Sequence, residues 1–393
     1  MKTSNGLIIR KQIYLYAIIF LGLSMTNTQI IPFLTHVGYS PVERGLILSS
    51  IAIVAIVGQV VTGYLCDKYS TIKKFYHGLL FLFILSNGVL YFISEEIFFV
   101  HLLLFGFVGG LFRIISGLIE TWTLEINEYV KDRFGLIRAF GALGWAFGAP
   151  LTSLLIDNYG YRIIGLSFAL VAIFSLIFSL GMPDAAKIET NQKLKVADIK
   201  ALLKNPNYVV LLLMLIMVNL IFAADMYTVI DKMVFLGATN SQIAFKWSFQ
   251  AILELPLFFL GYLLLKHIGA KRMLVFSILM YIVRFGLYTI ATSPFQIILI
   301  SGMQALTFPL LMISQKVLVA EESPLHLKST GQMFALSMYG GLSALLTPII
   351  SGFLIAIIGY NATLLIFTMS LWIPFYLSIR YYKMKTPHSH NFT

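Results

Sequence analysis

Long apolar runs, separated by short polar segments, dominate the chain from Tyr14 to Tyr382. Each run is about 20 residues long, the length at which an α-helix crosses the hydrocarbon core of a bilayer. Charged residues, Gly and Pro mark the turns between the runs. The pattern predicts twelve helices, near residues 12–34, 43–65, 75–93, 97–126, 135–155, 163–182, 208–235, 242–265, 273–291, 295–320, 331–356 and 363–382. The predicted fold class is therefore an all-α membrane protein with twelve transmembrane helices.

The longest polar interval, residues 183–207, divides the predicted helices into two groups of six. The predicted organisation is an N-terminal half over residues 1–182, a cytoplasmic linker over 183–207, a C-terminal half over 208–382 and a tail over 383–393. The polar intervals all fall short of the about 50 residues that a folded domain needs. The function must therefore lie within the helices.

Composition and charge exclude a water-soluble protein. Hydrophobic residues make up 59% of the chain and charged residues 11%, whereas about a quarter of a soluble domain is charged. The net charge of +11 comes from Lys and Arg gathered in alternate loops, which is typical of membrane topology and not of a nucleic-acid site. The sequence predicts a multi-pass protein of a bacterial plasma membrane, with both termini in the cytoplasm. The single Cys66 excludes an internal disulfide framework.

A short segment recurs at the same place in the two halves. The sequence GYLCDKYSTIKK over 63–74 and the sequence GYLLLKHIGAKR over 261–272 share Gly, Tyr, Leu, two Lys positions and a final basic residue. Each segment follows the second predicted helix of its half. A basic loop can follow any helix, but the shared Gly-Tyr-Leu favours an internal repeat. Repeated halves are typical of secondary transporters, in which the substrate binds between them near mid-membrane.

The first of these segments resembles the signature loop of the major facilitator superfamily, with Gly63, Asp67 and Lys68 in the expected positions. Through the helix number and the repeat, the resemblance covers the whole chain. It implies the major facilitator fold, transport by alternating access and a conformational role for this loop.

A narrower resemblance connects the fourth and fifth predicted helices to the lactose permease family. It rests on GLIE over 117–120 and FGLIRAFGALGWAFG over 134–148. The resemblance implies that Glu120 and Arg138 form a sugar-binding pair and that Trp145 stacks on the sugar ring. The chain departs from that family on the tenth helix, where Gln304 and Thr307 replace a His and a Glu used in proton coupling. The proton route of that family therefore cannot be transferred.

A second patch resembles the phenylpropionate and nucleoside permeases, which belong to the same broad branch. It consists of ELP over 254–256, Arg284, and KSTGQ over 328–332. Glu254 and Arg284 lie roughly halfway along their predicted helices and hence near mid-membrane. Glu254 either takes a proton or stays ionised against Arg284, and the sequence leaves both interpretations open.

Charged residues within spans cost about 2.5 to 3.5 kcal/mol each on insertion scales, and they normally serve an ion or substrate path. The candidates here are Arg113, Glu120, Arg138, Asp225, Glu254 and Arg284. We assign Arg113, with Glu120, Arg138 and Trp145, to substrate binding. Arg138 and Trp145 are seven residues apart and therefore share a helix face.

Each assignment has a structural alternative. Glu120 and Arg138 are alternatively two charges at the cytoplasmic helix ends, and Trp145 is alternatively a packing or interfacial ring. Asp225 either joins Glu254 and Arg284 in proton coupling or pairs with Lys232 on the same helix face.

The sequence as a whole predicts a secondary active transporter that imports a small polar organic solute together with protons, a sugar or glycoside being favoured. We expect no metal, cofactor or enzyme activity, because no His pair has metal-ligand spacing within a span and no phosphate-binding loop is present. The expected partners are the solute, protons and the lipid bilayer, and the expected state is a monomer. The alternatives are efflux of sugars or amphipathic compounds and, in another class, a transporter-like receptor.

Overall fold

The computed structural model describes residues 2–131, 133–185, 196–324 and 327–384, and within these ranges the regular structure is helical. The all-α prediction is confirmed. Parts of the predicted linker (186–195) and of the predicted tail (385–393) lie outside the described residues.

The helices of the N-terminal part of the chain are α1 (Lys2–Asn27), α2 (Ile30–Val37), α3 (Pro41–Lys68), α4 (Lys73–Phe92), α5 (Phe98–Ile126), α6 (Glu128–Lys131), α7 (Phe134–Tyr159) and α8 (Ile163–Leu180). Those that follow are α9 (Val196–Leu203), α10 (Pro206–Met226), α11 (Thr228–Phe235), α12 (Asn240–Phe259), α13 (Gly261–Ile268), α14 (Ala270–Ile290), α15 (Pro294–Ser301), α16 (Gln304–Glu322), α17 (Lys328–Leu336), α18 (Leu342–Ser370) and α19 (Trp372–Lys383). A π-helical turn, Ser337–Gly341, joins α17 to α18.

Several helices are long and apolar enough to cross a membrane. The described residues contain 9 such stretches, or 10 if α15 and α16, which are bent by 42°, form one span. One stretch, Gly331–Lys383, has 53 residues, more than twice the length of a single crossing. Its helix α18 is interrupted at Gly359, whose φ of 78° is left-handed. The chain is a multi-pass membrane protein, and the number twelve stays a prediction.

The chain folds into two compact units. The first unit comprises Met1–Thr190 together with Ala238–Ile252, and the second comprises Asn191–Gly237 together with Leu253–Thr393. The segment Ala238–Ile252 contains the first part of α12, which therefore packs with the helices of the first unit.

Close packing of α1 against α7 organises the first unit. A Cβ atom on Gly144 would collide with the carbonyl oxygen of Ala17, and one on Gly148 would collide with the Ser24 hydroxyl. Small residues at such positions let two membrane helices approach closely. The approach brings Phe20 on α1 against Arg138 on α7, with the ring centroid 4.5 Å from the guanidinium carbon.

In the second unit, α14 packs against α16. The Ser277 hydroxyl on α14 donates a hydrogen bond of 2.8 Å to the carbonyl oxygen of Thr307 on α16. Both groups are buried, so the hydrogen bond is made away from water. It sets Arg284, two turns further along α14, beside the polar start of α16.

Candidate substrate and coupling sites

Glu120 and Arg138 form the expected ion pair. Arg138 Nε on α7 donates to Glu120 Oε1 on α5 over 3.2 Å, and each side chain is 41% exposed. An exposed pair of this kind contributes about 1 kcal/mol or less to stability. The pair is therefore accessible, and its donors and acceptors can turn to a ligand at little cost.

Trp145 lies within a row of aromatic rings. It meets Phe112 on α5 edge to face, with centroids 6.2 Å apart, and Trp247 on α12 in the same way at 6.5 Å. The Ser248 hydroxyl holds α12 on α7 by donating to the carbonyl oxygen of Ala146 over 2.6 Å. Trp145 is half-buried within this row, which gives its ring a fixed orientation.

Trp247 is not among the site residues predicted from the sequence. A signal was present, because Trp247 precedes Glu254 by seven residues on α12, the same spacing that joins Arg138 to Trp145 on α7. Its indole Nε1 is buried and has no acceptor among the described residues. The indole N–H of Trp247 is thus a hydrogen-bond donor that a bound solute could satisfy.

Arg113 lies at the middle of α5 and is half-buried. No carboxylate of the described residues lies within ion-pair distance of its guanidinium. Its carbonyl oxygen accepts a hydrogen bond of 3.4 Å from Gln59 Nε2 on α3. Arg113 and Glu120 are seven residues apart on α5 and share a face of that helix.

Polar contacts fix the start of α12 to the rest of the first unit. Asn240 Nδ2 and the Ser241 hydroxyl donate to the two carboxylate oxygens of Asp157, over 3.1 and 3.2 Å. The Tyr161 hydroxyl donates to Asn240 Oδ1, and Gln29 Nε2 to the Asn240 carbonyl oxygen, each over 3.2 Å. Burial raises the pKa of Tyr161 to about 12, so its hydroxyl keeps its proton at neutral pH. These contacts place Trp247 beside Trp145.

Arg284 is fully buried in the second unit and pairs with Asp225. Its Nη2 donates to Asp225 Oδ1 over 2.8 Å, and the Tyr288 hydroxyl donates to the same oxygen over 3.1 Å. The carboxylate seen to pair with Arg284 is therefore Asp225, and the interpretation that Glu254 stays ionised against Arg284 stays a prediction. Glu254 lies half-buried on α12, whereas Asp225 is 1% exposed.

Lys232 does not serve as the partner of Asp225 either. Its ammonium is buried and donates to the carbonyl oxygens of Tyr288 and Thr289, over 2.7 and 3.2 Å. Free carbonyl oxygens at the end of α14 attract a cation because they carry the negative end of the helix dipole. Asp225 thus forms its ion pair with Arg284, in place of the alternative pair with Lys232.

Gln304 and Thr307 on α16 complete the surroundings of Arg284. Arg284 Nη1 donates to Gln304 Oε1 and, over 3.2 Å, to Thr307 Oγ1. These are the two positions at which the chain departs from the lactose permease pattern. Here they satisfy donors of a buried guanidinium, whose charge would otherwise be costly to bury.

Gly63, Asp67 and Lys68 lie at the C-terminal end of α3, and Asp67 and Lys68 are exposed. The Lys68 ammonium sits 5.5 Å from the centroid of its neighbour Tyr69. The loop after α3 is held by Asp184, which accepts from the Thr71 hydroxyl over 2.5 Å and from the backbone N–H of Lys73 over 3.0 Å. The Asp184 carboxylate therefore caps the N-terminus of α4 from outside the helix.

Lys73 and Lys271 cap two other helices. Lys73 Nζ donates to the carbonyl oxygens of Leu180 (2.7 Å) and Met182 (2.8 Å), at the end of α8. Lys271 Nζ donates to the carbonyl oxygen of Met384 over 2.7 Å, at the end of α19. Neither contact was predicted, because both join segments more than a hundred residues apart.

The described residues contain no group of three or more His, Cys, Asp or Glu side chains arranged to hold a metal ion.

Comparison with known proteins agrees with this architecture. Residues 12–366 match the family model described as the MFS_1 like family. The lactose permease of Klebsiella oxytoca is 23% identical over 295 residues, which cover 69% of each chain. Two crystal structures of the nucleoside transporter NupG, one of them a variant, cover 96% of this chain and 100% of NupG. Their TM-scores are 0.82 and 0.80 at 17% and 19% identity, so this likeness shows the fold.

Proposed function

Because the chain belongs to the MFS_1 like family and is a major facilitator transporter, not an enzyme, we propose that it imports a small polar organic solute by proton symport. A sugar or glycoside is the favoured solute. We also propose that the protein acts as a monomer in a bacterial plasma membrane, with both termini in the cytoplasm. The gathering of Lys and Arg in alternate loops supports this orientation.

The observation that carries the proposal is the Glu120–Arg138 ion pair, 3.2 Å long, two turns along α7 from Trp145. The pair offers charged donors and acceptors to hydroxyl groups. The indole face of Trp145 offers an apolar surface to the C–H face of a sugar ring. The relatives support this class of solute, since one is named as a lactose permease and the other as a nucleoside transporter.

We propose that Trp247 belongs to the same binding site. The rings of Trp145 and Trp247 meet edge to face, with their centroids 6.5 Å apart and their planes at 74° to each other. A ring-shaped solute that stacks on Trp145 would meet the edge or face of Trp247. Arg113 completes the proposed set of binding residues on α5.

The proposed proton site is Glu254. Symport needs a group whose protonation changes the preference between inward and outward states. Asp225 is the less suitable carboxylate, because protonating it would leave the buried Arg284 charge without its partner, a change that costs about 3 to 5 kcal/mol in buried pairs. The Asp225–Arg284 pair would instead hold the helices of the second unit in register, and Glu254, which is half-buried, can exchange protons with water.

Transport by purified protein in proteoliposomes tests the proposal. A panel of labelled sugars, glycosides and nucleosides is offered with and without an inwardly directed proton gradient. Accumulation of a sugar or glycoside that requires the gradient, and that a protonophore abolishes, is expected. Equal uptake without the gradient would contradict proton coupling, and extrusion from loaded vesicles would favour the efflux alternative.

A further inference from the structure

The charge of Arg113 is left without a carboxylate in the part of the chain that the structure describes. The residue lies at mid-length of α5, within a membrane span. Charged side chains at that depth pair with an opposite charge or face a water-filled cavity. Arg113 is half-buried, so its guanidinium is partly withdrawn from water and a counter-charge would stabilise it.

The facing sides of α5 and α7 already contain one ion pair whose charges cancel. Arg138 is compensated by Glu120, while Arg113 adds a second positive charge that no carboxylate of the described residues reaches within ion-pair distance. Glu120 meets Arg138 and Phe112 meets Trp145, so α5 and α7 run antiparallel with these residues at matching levels. Arg113, next to Phe112, therefore lies near the level of Trp145, about 10 Å along the helix axis from the ion pair.

A second donor at this level also has no acceptor. The buried indole Nε1 of Trp247 makes no hydrogen bond to any described residue, and its ring contacts Trp145. The surroundings of Trp145 are therefore rich in donors and poor in acceptors. A ligand that complements them brings acceptor oxygens and negative charge. The Lys246 ammonium, 4.4 Å from the centroid of the Trp247 ring, is a further cation at this place.

We propose that the transported solute is an anionic sugar derivative whose carboxylate is bound by Arg113 while its ring stacks on Trp145. This inference rests on the proposed function and narrows its substrate class. A planar guanidinium matches a carboxylate with two parallel hydrogen bonds.

The matched probes are methyl β-glucuronide and methyl β-glucoside, which differ in a carboxylate against a hydroxymethyl group. Binding to the full-length protein in nanodiscs is measured at pH 7 by calorimetry. Hydrogen bonds to charged groups imply that the unmodified protein binds the glucuronide about 10-fold or more tighter than the glucoside. Arg113→Gln should remove this preference by weakening the glucuronide alone, and Arg113→Lys should keep part of it, because an ammonium retains the charge without the fork.

Arg162→Gln is the matched control, since it removes the same charge from an exposed position whose guanidinium donates to the Ser94 hydroxyl. It should leave both affinities within about 2-fold of the unmodified protein. Retained glucoside binding shows that the Arg113→Gln protein is folded. The comparison of the two probes on the unmodified protein tests the inference even if that variant does not fold.

Two results would overturn the inference, and they differ in what they imply for the proposed function. Equal binding of both probes by the unmodified protein, or equal weakening of both by Arg113→Gln, rejects the carboxylate and leaves the sugar transporter of the proposed function. Binding of neither probe rejects the inference, and the uptake panel then decides separately whether the sugar class of the proposed function is kept.

Discussion

Lys73 and Lys271, which occupy equivalent positions in the internal repeat, make the same contact in the two units. Each ammonium donates to the last carbonyl oxygens of the helix that ends its half, α8 for Lys73 and α19 for Lys271. A cation at this place satisfies carbonyl groups without a helical partner and complements the helix dipole. The sequence repeat is thus also a repeat of tertiary contacts.

Lys73→Met should destabilise the protein, because two carbonyl oxygens at the end of α8 lose their donor. We expect a loss of about 1 to 2 kcal/mol in the free energy of unfolding, measured by thermal denaturation in detergent. Lys74→Met is the control, since this substitution removes the same charge from an exposed position. Equal melting temperatures for the two variants would show that the contact contributes nothing.

Asp184 should make the stability of the α3–α4 loop depend on pH. Partial burial raises the pKa of the Asp184 carboxyl, but hydrogen bonds from Thr71 and from the backbone N–H groups of Lys73, Ala185 and Ile72 outweigh it and hold the pKa below its ordinary value. The stabilisation is therefore present above the ordinary pKa of about 4 and is lost as the pH falls through the lowered pKa.

Asp184→Asn should lower the free energy of unfolding at pH 7 by about 1 kcal/mol, as the loss of a helix cap does. The difference between variant and unmodified protein should shrink at acid pH, where Asp184 is protonated. Glu128→Gln is a suitable control, because Glu128 is 83% exposed and pairs with Lys131 on the same helix. A difference that stays constant from pH 7 to pH 3 would contradict the charged cap.

Arg138→Lys should weaken substrate binding about 10-fold or more, since an ammonium cannot replace two forked donors. Trp145→Phe should reduce binding less than Trp145→Ala, because part of the stacking surface remains. Both effects are measured as substrate affinity in nanodiscs. Unimpaired binding in both Glu120→Gln and Arg138→Lys would remove this site from the proposal.

Glu254→Gln should separate exchange from accumulation. The variant should still exchange labelled for unlabelled solute across proteoliposomes, yet fail to accumulate solute in a pH gradient, because no proton can be released from the amide. Full gradient-driven accumulation by Glu254→Gln would move the proton site to Glu120 or Asp225. Asp225→Asn should instead reduce the yield of folded protein, since it leaves the buried Arg284 unpaired, with a cost of about 3 to 5 kcal/mol.

Labelling of single cysteines should establish the orientation. In a Cys66→Ser background, cysteines at Ser94 and Asn361 should react with an impermeant reagent from outside intact cells, and a cysteine at Lys200 should react after the membrane is opened. All three positions are exposed in the structure. Reaction of the Lys200 position from outside would reverse the proposed topology.

Much of the helical framework follows from the sequence alone. The prediction of a helix over 75–93 compares with the observed Lys73–Phe92, and that over 97–126 with Phe98–Ile126. Membrane thickness fixes the length of each apolar run, and backbone hydrogen bonds within lipid must be made inside the helix, so such runs have little freedom. The Glu120–Arg138 pair was also predictable, because a short connection joins two antiparallel helices at that end.

Partners that are distant in sequence were decided by tertiary structure. Asp225 and Glu254 are both carboxylates on nearby helices, and which of them reaches Arg284 depends on how α10, α12 and α14 are rotated about their axes. The contact of Asp184 with the N-terminus of α4 and the contact of Trp247 with Trp145 likewise depend on how the helices pack. A periodic pattern shows which residues share one helix face, but the neighbour of that face is set by packing among all the helices, which no local pattern contains.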